Sequence, residues 1–289
     1  MPIDYTSADR VFGLSFGKFD RRNARVSFQE PGTLRDCFSP LINEWKDNPT
    51  ALPILSHQYS SMLASAGVEM WHRAIHSFLW SVTMTNGSPL WSSITGYYAS
   101  HFVMRAFAHS MGIFKSFRQK TAFQVLVQNG HLVCSRLSDK GGEHAFYWKA
   151  VKGHPRFASD PLFRENNERE DNRQENKSDV LHRNFANYTD HVNSFTPVDF
   201  STTKEIMSDR VERISRIRRY SVEAPTPQRG EFPDVNKVQI LAFQRIVAFH
   251  DFLEENVPAN RFWKAHRRPS WCREVMLFQV QDWGPEPPG

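Results

Sequence analysis

Residues 92–112, SSITGYYASHFVMRAFAHSMG, and residues 123–137, FQVLVQNGHLVCSRL, decide the fold because the spacing of apolar side chains changes between them. In the first stretch apolar side chains recur at steps of three and four residues, and Gly112 stands where a helix would end. In the second, apolar and polar residues largely alternate around Asn129-Gly130, a dipeptide typical of tight hairpin turns. The sequence therefore predicts a helix over residues 94–111 followed by an antiparallel hairpin.

A second turn and a third strand complete the predicted sheet. Asp139-Lys140-Gly141-Gly142 has the composition of a turn, and residues 145–151 after it are rich in aromatic and branched side chains. A lone hairpin is only marginally stable in water, so we expect a three-stranded antiparallel meander that packs on helices. This insert would occupy about residues 120–152.

Helical spacing of apolar residues continues on both sides of this region. It extends over residues 57–85, before the stop signal Asn86-Gly87-Ser88-Pro89, and over residues 235–255, where apolar side chains cover more than half of the helix. Before residue 30 the apolar pattern predicts short extended segments. The expected fold class is mainly α, a helical bundle with an inserted three-stranded antiparallel β-meander (α+β).

The chain is expected to divide into three parts. Residues 1–54 would form an N-terminal extended or short helical segment, residues 55–255 the helical core, and residues 256–289 a basic C-terminal tail. Within the core, residues 164–178 are almost entirely polar and charged. Such a composition cannot bury a core, so it predicts a solvated linker.

Composition excludes several classes of protein. The chain has 289 residues, 40% of them hydrophobic, and a net charge of +5, but no apolar run of the roughly 18–20 residues that a membrane span requires. It lacks a recognisable signal peptide, which predicts a cytoplasmic protein with no membrane partner. Cys37, Cys134 and Cys272 are far apart, and no cofactor motif is present. The sequence therefore predicts neither a metal site nor a cofactor.

Arginine is concentrated in the last third of the chain. A helix predicted over residues 203–220 carries arginines on a face away from Val211, Ile214 and Ile217. Such a stripe suits phosphate contacts with RNA or another nucleic acid, and it equally suits a solvated face paired with neighbouring carboxylates. The candidate nucleic-acid-binding residues are Arg210, Arg213, Arg216 and Arg219.

Three stretches resemble HEPN-like proteins, a family of helical nucleotide-binding domains. They are residues 96–106, GYYASHFVMRA, residues 143–149, EHAFYWK, and residues 181–188, LHRNFANY. The second stretch is similar to a run that ends an inserted small sheet in some bacterial relatives. The resemblance covers about residues 55–255. It implies that four residues are structural family positions: Tyr97, Tyr98, Arg105 and Tyr188.

The resemblance also implies a function. Many HEPN proteins are metal-independent endoribonucleases, in which an arginine and a histidine four to six residues apart face each other across a dimer. A histidine near neutral pKa can move a proton, and an arginine can stabilise the phosphorane charge. RNA would then be the substrate, a homodimer the assembly, and bacterial defence or stress the context. The alternative is a non-catalytic helical binding or scaffold module that acts through a partner protein or nucleic acid.

The candidate catalytic residues depart from the family pattern. Arg183 and Asn184 match the start of the family pattern, but the next histidine, His191, lies beyond the usual spacing from the arginine. Arg245 and His250 have a permitted spacing and are the alternative pair, although an isoleucine takes the place of the usual polar residue.

Arg105 and His109 form a third pair, on one stripe of the tyrosine-rich helix. They could act together chemically, or they could form a hydrogen-bonded structural pair that satisfies a buried charge. We favour the structural interpretation.

Overall fold

A computed structural model of the protein describes residues 2–17, 52–53, 57–85, 87–116, 121–129, 131–139, 141–164, 214, 217 and 237–267. Most of these residues are helical, and the strands form one small antiparallel sheet, which confirms a mainly α protein with an inserted β-meander. The elements are α1 (Tyr5–Gly17), β1 (Leu52–Pro53), α2 (His57–Thr83), α3 (Pro89–Ser110), β2 (Ile113–Ser116), β3 (Thr121–Gln128), β4 (His131–Leu137), α4 (Glu143–Lys152), α5 (Pro161–Arg164), α6 (Lys237–Asn256) and α7 (Arg261–His266).

The sheet has the order β1-β4-β3-β2, and each neighbouring pair is antiparallel. The meander consists of β2, β3 and β4, with the two-residue β1 added at the edge. The predicted hairpin between β3 and β4 is confirmed, with Val125 opposite Cys134. Asn129 at its turn has φ 47, a left-handed conformation that asparagine tolerates better than most residues.

The predicted third strand is wrong, because residues 145–151 belong to helix α4. Aromatic and branched residues favour a strand locally, but here they are buried on a helix, and burial overrides that preference. Glu143 in the first turn and Lys149 and Lys152 in the last turn complement the helix dipole. The third strand of the meander is β2, so the meander begins at Ile113 and ends at Leu137.

The expectation of extended segments near the N-terminus is also wrong for residues 5–17, which form α1. Asp4 begins this helix: its carboxylate accepts hydrogen bonds from the Ser7 backbone N–H at 3.0 Å and the Ser7 hydroxyl at 2.8 Å. These bonds lower the pKa of Asp4. The buried Gln124 side chain accepts from the Asp4 N–H and donates to the Asp4 carbonyl, which fixes the start of α1 against β3.

The described residues belong to two compact units. Unit 1 comprises residues 1–71, 104–159 and 251–267, and unit 2 comprises residues 72–103, 160–250 and 268–289. No helix in the described part of the chain combines the length and apolarity that crossing a membrane requires.

In unit 1, α1, α2 and the sheet share an apolar core. Its buried members are Val11, Leu63, Phe114, Phe123, Val125, Leu132 and Cys134. The first part of the predicted C-terminal tail is folded here too. Trp263 on α7 is fully buried against Trp71 at a ring distance of 5.4 Å, and Arg267 donates to Glu254 at 2.9 Å.

In unit 2, the end of α2, the start of α3 and most of α6 bury their apolar faces. Phe78 on α2 packs on Phe243 of α6 at a ring distance of 5.7 Å. Ile214 and Ile217, at helical spacing, are also buried. Because burial of a large apolar side chain contributes about 1.5–3 kcal/mol, these contacts dominate the stability of the unit.

We expect Gly112→Ala to lower the free energy of unfolding by about 1–3 kcal/mol, since Gly112 has φ +75 and an added Cβ would lie 2.8 Å from Val11 Cγ1 and 3.0 Å from Val125 Cβ. Urea unfolding would measure the change. The control is Gly13→Ala within α1, where a Cβ meets nothing within 4 Å and helix propensity should raise stability slightly. Equal midpoints for Gly112→Ala and the wild type would contradict the expectation.

Candidate functional site

Most of the sequence-predicted site residues lie outside the described residues and stay predictions. They are Arg183, Asn184, Tyr188, His191, Arg210, Arg213, Arg216 and Arg219. The described positions are Tyr97, Tyr98, Arg105, His109, Arg245 and His250.

Arg105 and His109 both contact Tyr147 of α4. His109 Nε2 lies 3.2 Å from the Tyr147 hydroxyl, and the Arg105 guanidinium lies over the Tyr147 ring, 5.4 Å from its centroid. Tyr147 is fully buried and His109 is 4% exposed. The helical stripe predicted from sequence is therefore a contact surface between α3 and α4.

The hydrogen bonds of Tyr147 define its protonation. Its hydroxyl oxygen accepts from the backbone N–H of Lys115 at 3.1 Å and lies 3.2 Å from Nε2 of His109. Burial raises the pKa of Tyr147 to about 12, so the phenol keeps its proton at neutral pH. Nε2 of His109 is therefore in hydrogen-bond contact with Tyr147 and is not available to a substrate.

Two ion pairs lie beside Tyr147. Arg105 Nη1 is 3.1 Å from Glu143, and both side chains are about one quarter exposed. Lys115 Nζ donates to Asp139 at 2.6 Å and also to the carbonyl of Gly141. An exposed pair contributes at most about 1 kcal/mol, whereas the largely buried Lys115 holds the turn before α4 in place. The geometry supports the structural interpretation of Arg105 and His109.

The side chain of Arg245, in unit 2, is also occupied by internal hydrogen bonds. Its side chain is fully buried, and Nε and Nη2 donate to the carbonyl of Leu162 at 3.1 and 2.9 Å, while Nη1 donates to Ser100 at 3.0 Å. An RNA phosphate would have to displace bonds that satisfy a buried charge, which is costly. His250 is 7% exposed. Neither member of this pair presents a surface on which RNA could be cleaved.

A different surface forms where α2 meets α3. Ser81 Oγ donates to the Ser92 carbonyl at 2.6 Å, and Ser92 Oγ donates to the Ser81 carbonyl at 2.7 Å. The buried Gln239 amide of α6 donates to the same seam, at 2.9 Å from Ser92 Oγ and 2.8 Å from Thr85 Oγ1. The short connection and these bonds make α2 and α3 an antiparallel hairpin with Ser81 facing Ser92.

Trp80 and Trp91 each precede one of these serines. Each tryptophan is rotated by about 100° around its helix axis from the serine that follows it. Because the helices are antiparallel and the two serines face each other, both tryptophans lie on the same side of the helix pair. Trp80 and Trp91 are 51% and 55% exposed, the exposed large hydrophobic residues in the described part of the chain. They therefore form one aromatic surface.

The same face carries an arginine and a histidine. Arg73 and His76 lie on α2, seven and four residues before Trp80, and both are exposed. His72–Val103 contains no Asp or Glu at all. We name Arg73, His76, Trp80 and Trp91 the hairpin face. Glu69 precedes Arg73 by one turn of α2, on the side away from Trp80. An arginine beside exposed aromatic rings suits an anionic ligand with flat rings.

Sequence reasoning did not single out the hairpin face. The periodicity of apolar residues predicts both helices, but it does not distinguish an exposed tryptophan from a buried one. Two signals were present: neither tryptophan falls on the buried stripe of its helix, and a stretch of more than thirty residues lacks carboxylates. Among the described residues, no group of three His, Cys, Asp or Glu side chains could hold a metal ion.

Comparisons of this chain with protein-family models, with curated proteins and with solved structures found no match. Assignment to the HEPN-like proteins therefore stays a prediction that rests on the residues quoted above.

We expect Tyr147→Phe to alter how stability depends on alkaline pH. The unfolded phenol titrates near 10 and the folded one at about 12, so the unfolded chain loses its proton first as pH rises. The contribution of Tyr147 is therefore complete below pH 10 and is lost as the pH rises toward 12, by about 3 kcal/mol. Urea unfolding below pH 10 and at about pH 11, where roughly half of this loss has developed, would measure it.

In Tyr147→Phe, the alkaline decrease in the free energy of unfolding should be smaller than in the wild type. The missing hydrogen bonds should lower the free energy of unfolding of this variant by about 1–3 kcal/mol at every pH below 10. Identical pH profiles for Tyr147→Phe and the wild type would contradict a buried, protonated Tyr147.

Proposed function

We propose that this protein binds RNA. The observation that carries the proposal is the hairpin face, where Arg73 lies beside two exposed tryptophans. Exposed arginine attracts phosphates over a Debye length of roughly 8–10 Å in physiological salt. The net charge of +5 also favours binding of an anionic ligand.

The HEPN-like resemblance is a second, independent support for RNA as the ligand. It also supports a cytoplasmic homodimer that acts in bacterial defence or stress. In the part of the chain that the structure describes, the Arg105–His109 and Arg245–His250 pairs are occupied by internal contacts. The non-catalytic binding module, acting through a nucleic acid, is therefore the form of the proposal that these contacts favour.

We expect Arg73→Gln to weaken RNA binding and to lower the salt dependence of the affinity. Loss of one phosphate contact should reduce the slope of log affinity against log salt by about 0.7–1. Fluorescence anisotropy with labelled RNA over a series of salt concentrations would measure both quantities. The matched control is Arg136→Gln, which removes an equally exposed arginine from β4 of unit 1.

The Arg136→Gln control should keep the wild-type slope. If both substitutions change the slope equally, binding follows total charge and the hairpin face is not the site.

Cleavage is the second candidate function, and it is proposed at Arg183, Asn184 and His191 because the LHRNFANY stretch matches the family there. With EDTA present, the wild type should cleave RNA and Arg183→Ala should lose the activity, since a metal-independent reaction needs the arginine to stabilise the phosphorane. Gel analysis of labelled RNA would measure it. The active species should sediment as a dimer of the 33.6 kDa chain.

Absence of cleavage by the wild type, with RNA binding retained, would leave the non-catalytic module as the function. Cleavage that persists in Arg183→Ala would move the active site elsewhere in the chain.

A further inference from the structure

We infer that the hairpin face binds single-stranded RNA by stacking unpaired bases on Trp80 and Trp91. This inference rests on the proposed function and names its substrate class. Stacking of a base on an aromatic side chain contributes about 1–3 kcal/mol, and every base has a face that can stack. More than half of each tryptophan side chain is exposed, and this ring surface stays in water until a ligand covers it.

The geometry of the hairpin suits two bases of one strand. Trp80 and Trp91 project from neighbouring helices to the same side, and the axes of packed helices lie roughly 8–10 Å apart. Tyr98 lies seven residues after Trp91, on the same stripe of α3 and roughly 10 Å further along, and is half-buried. Successive aromatic side chains along one surface form the kind of platform that single-strand-binding proteins use.

The Trp80 ring is held in position before any ligand arrives. Its indole N–H donates to Nε2 of His76 at 3.2 Å, and the two rings meet edge to face, 6.3 Å apart at 75°. A fixed ring loses less conformational entropy on binding. Because its hydrogen-bond donor is already used, Trp80 offers a base its flat face, which predicts weak dependence on base identity.

Charge on the hairpin face fits a nucleic-acid strand better than an apolar peptide. Arg73 lies seven residues before Trp80 on α2, roughly 10 Å away, where a backbone phosphate next to a stacked base could reach it. His72–Val103 contains no carboxylate, and Glu69 lies one turn before Arg73, further from Trp80. In a duplex the base faces are covered by their neighbours, so the same surface should discriminate against double-stranded RNA.

The test uses the full chain and a fluorescein-labelled oligouridine of about twelve nucleotides, single-stranded or paired with oligoadenine. The wild type should bind the single strand more tightly than the duplex. Trp80→Ala and Trp91→Ala should each weaken single-strand binding by about fivefold or more, while Trp80→Phe and Trp91→Phe keep most of the affinity because they retain an aromatic face. Both positions are exposed, so the fold should persist, as circular dichroism would verify.

Three outcomes would overturn the inference, and each has a different consequence. If the wild type binds RNA and both alanine variants bind equally well, bases do not stack on the hairpin face, but the proposed RNA binding stands. If the wild type binds neither oligonucleotide, the proposed function fails with it. If the alanine variants change the sedimentation of the protein alone and leave RNA affinity unchanged, the hairpin face joins two copies of this chain instead.

Discussion

The paired hydrogen bonds between Ser81 and Ser92 are the constraint on which the hairpin face depends. A buried hydroxyl without a partner would cost about 1–3 kcal/mol, and here each hydroxyl donates to the carbonyl of the opposite serine. Gln239 adds a donor from a third helix. Because these bonds fix which sides of α2 and α3 meet, they also fix the side to which Trp80 and Trp91 point.

Unit 1 contains a comparable buried network centred on Tyr147. Its hydroxyl joins His109 of α3 to the backbone of Lys115 in β2, so one side chain of α4 satisfies groups from two other elements. A phenol suits this position because it can accept and donate at once, and burial keeps it neutral. The tyrosine thereby joins the helix of residues 143–152 to α3 and to β2.

Local patterns predicted the elements whose own residues carry a strong signal. Helical spacing in α2, α3 and α6 and the turn at Asn129 needed no information from elsewhere in the chain. The two wrong predictions, in α1 and α4, concern short segments rich in aromatic residues, where helix and strand patterns overlap. Distant partners decide them: Gln124 fixes the start of α1, and the contacts of Tyr147 bury the inner face of α4.

The site could be predicted only in part, because an arginine and a histidine four residues apart on a helix share a face whether or not they meet a substrate. Arg105 and His109 share a face and both contact Tyr147. Arg245 and His250 are five residues apart, so they lie about 140° apart around their helix, and Arg245 donates to the Leu162 carbonyl. Spacing identifies side chains that can act together, while exposure decides whether a ligand can reach them. The absence of carboxylates over His72–Val103 is readable from sequence, whereas the exposure of Trp80 and Trp91 follows only from how α2 and α3 pack.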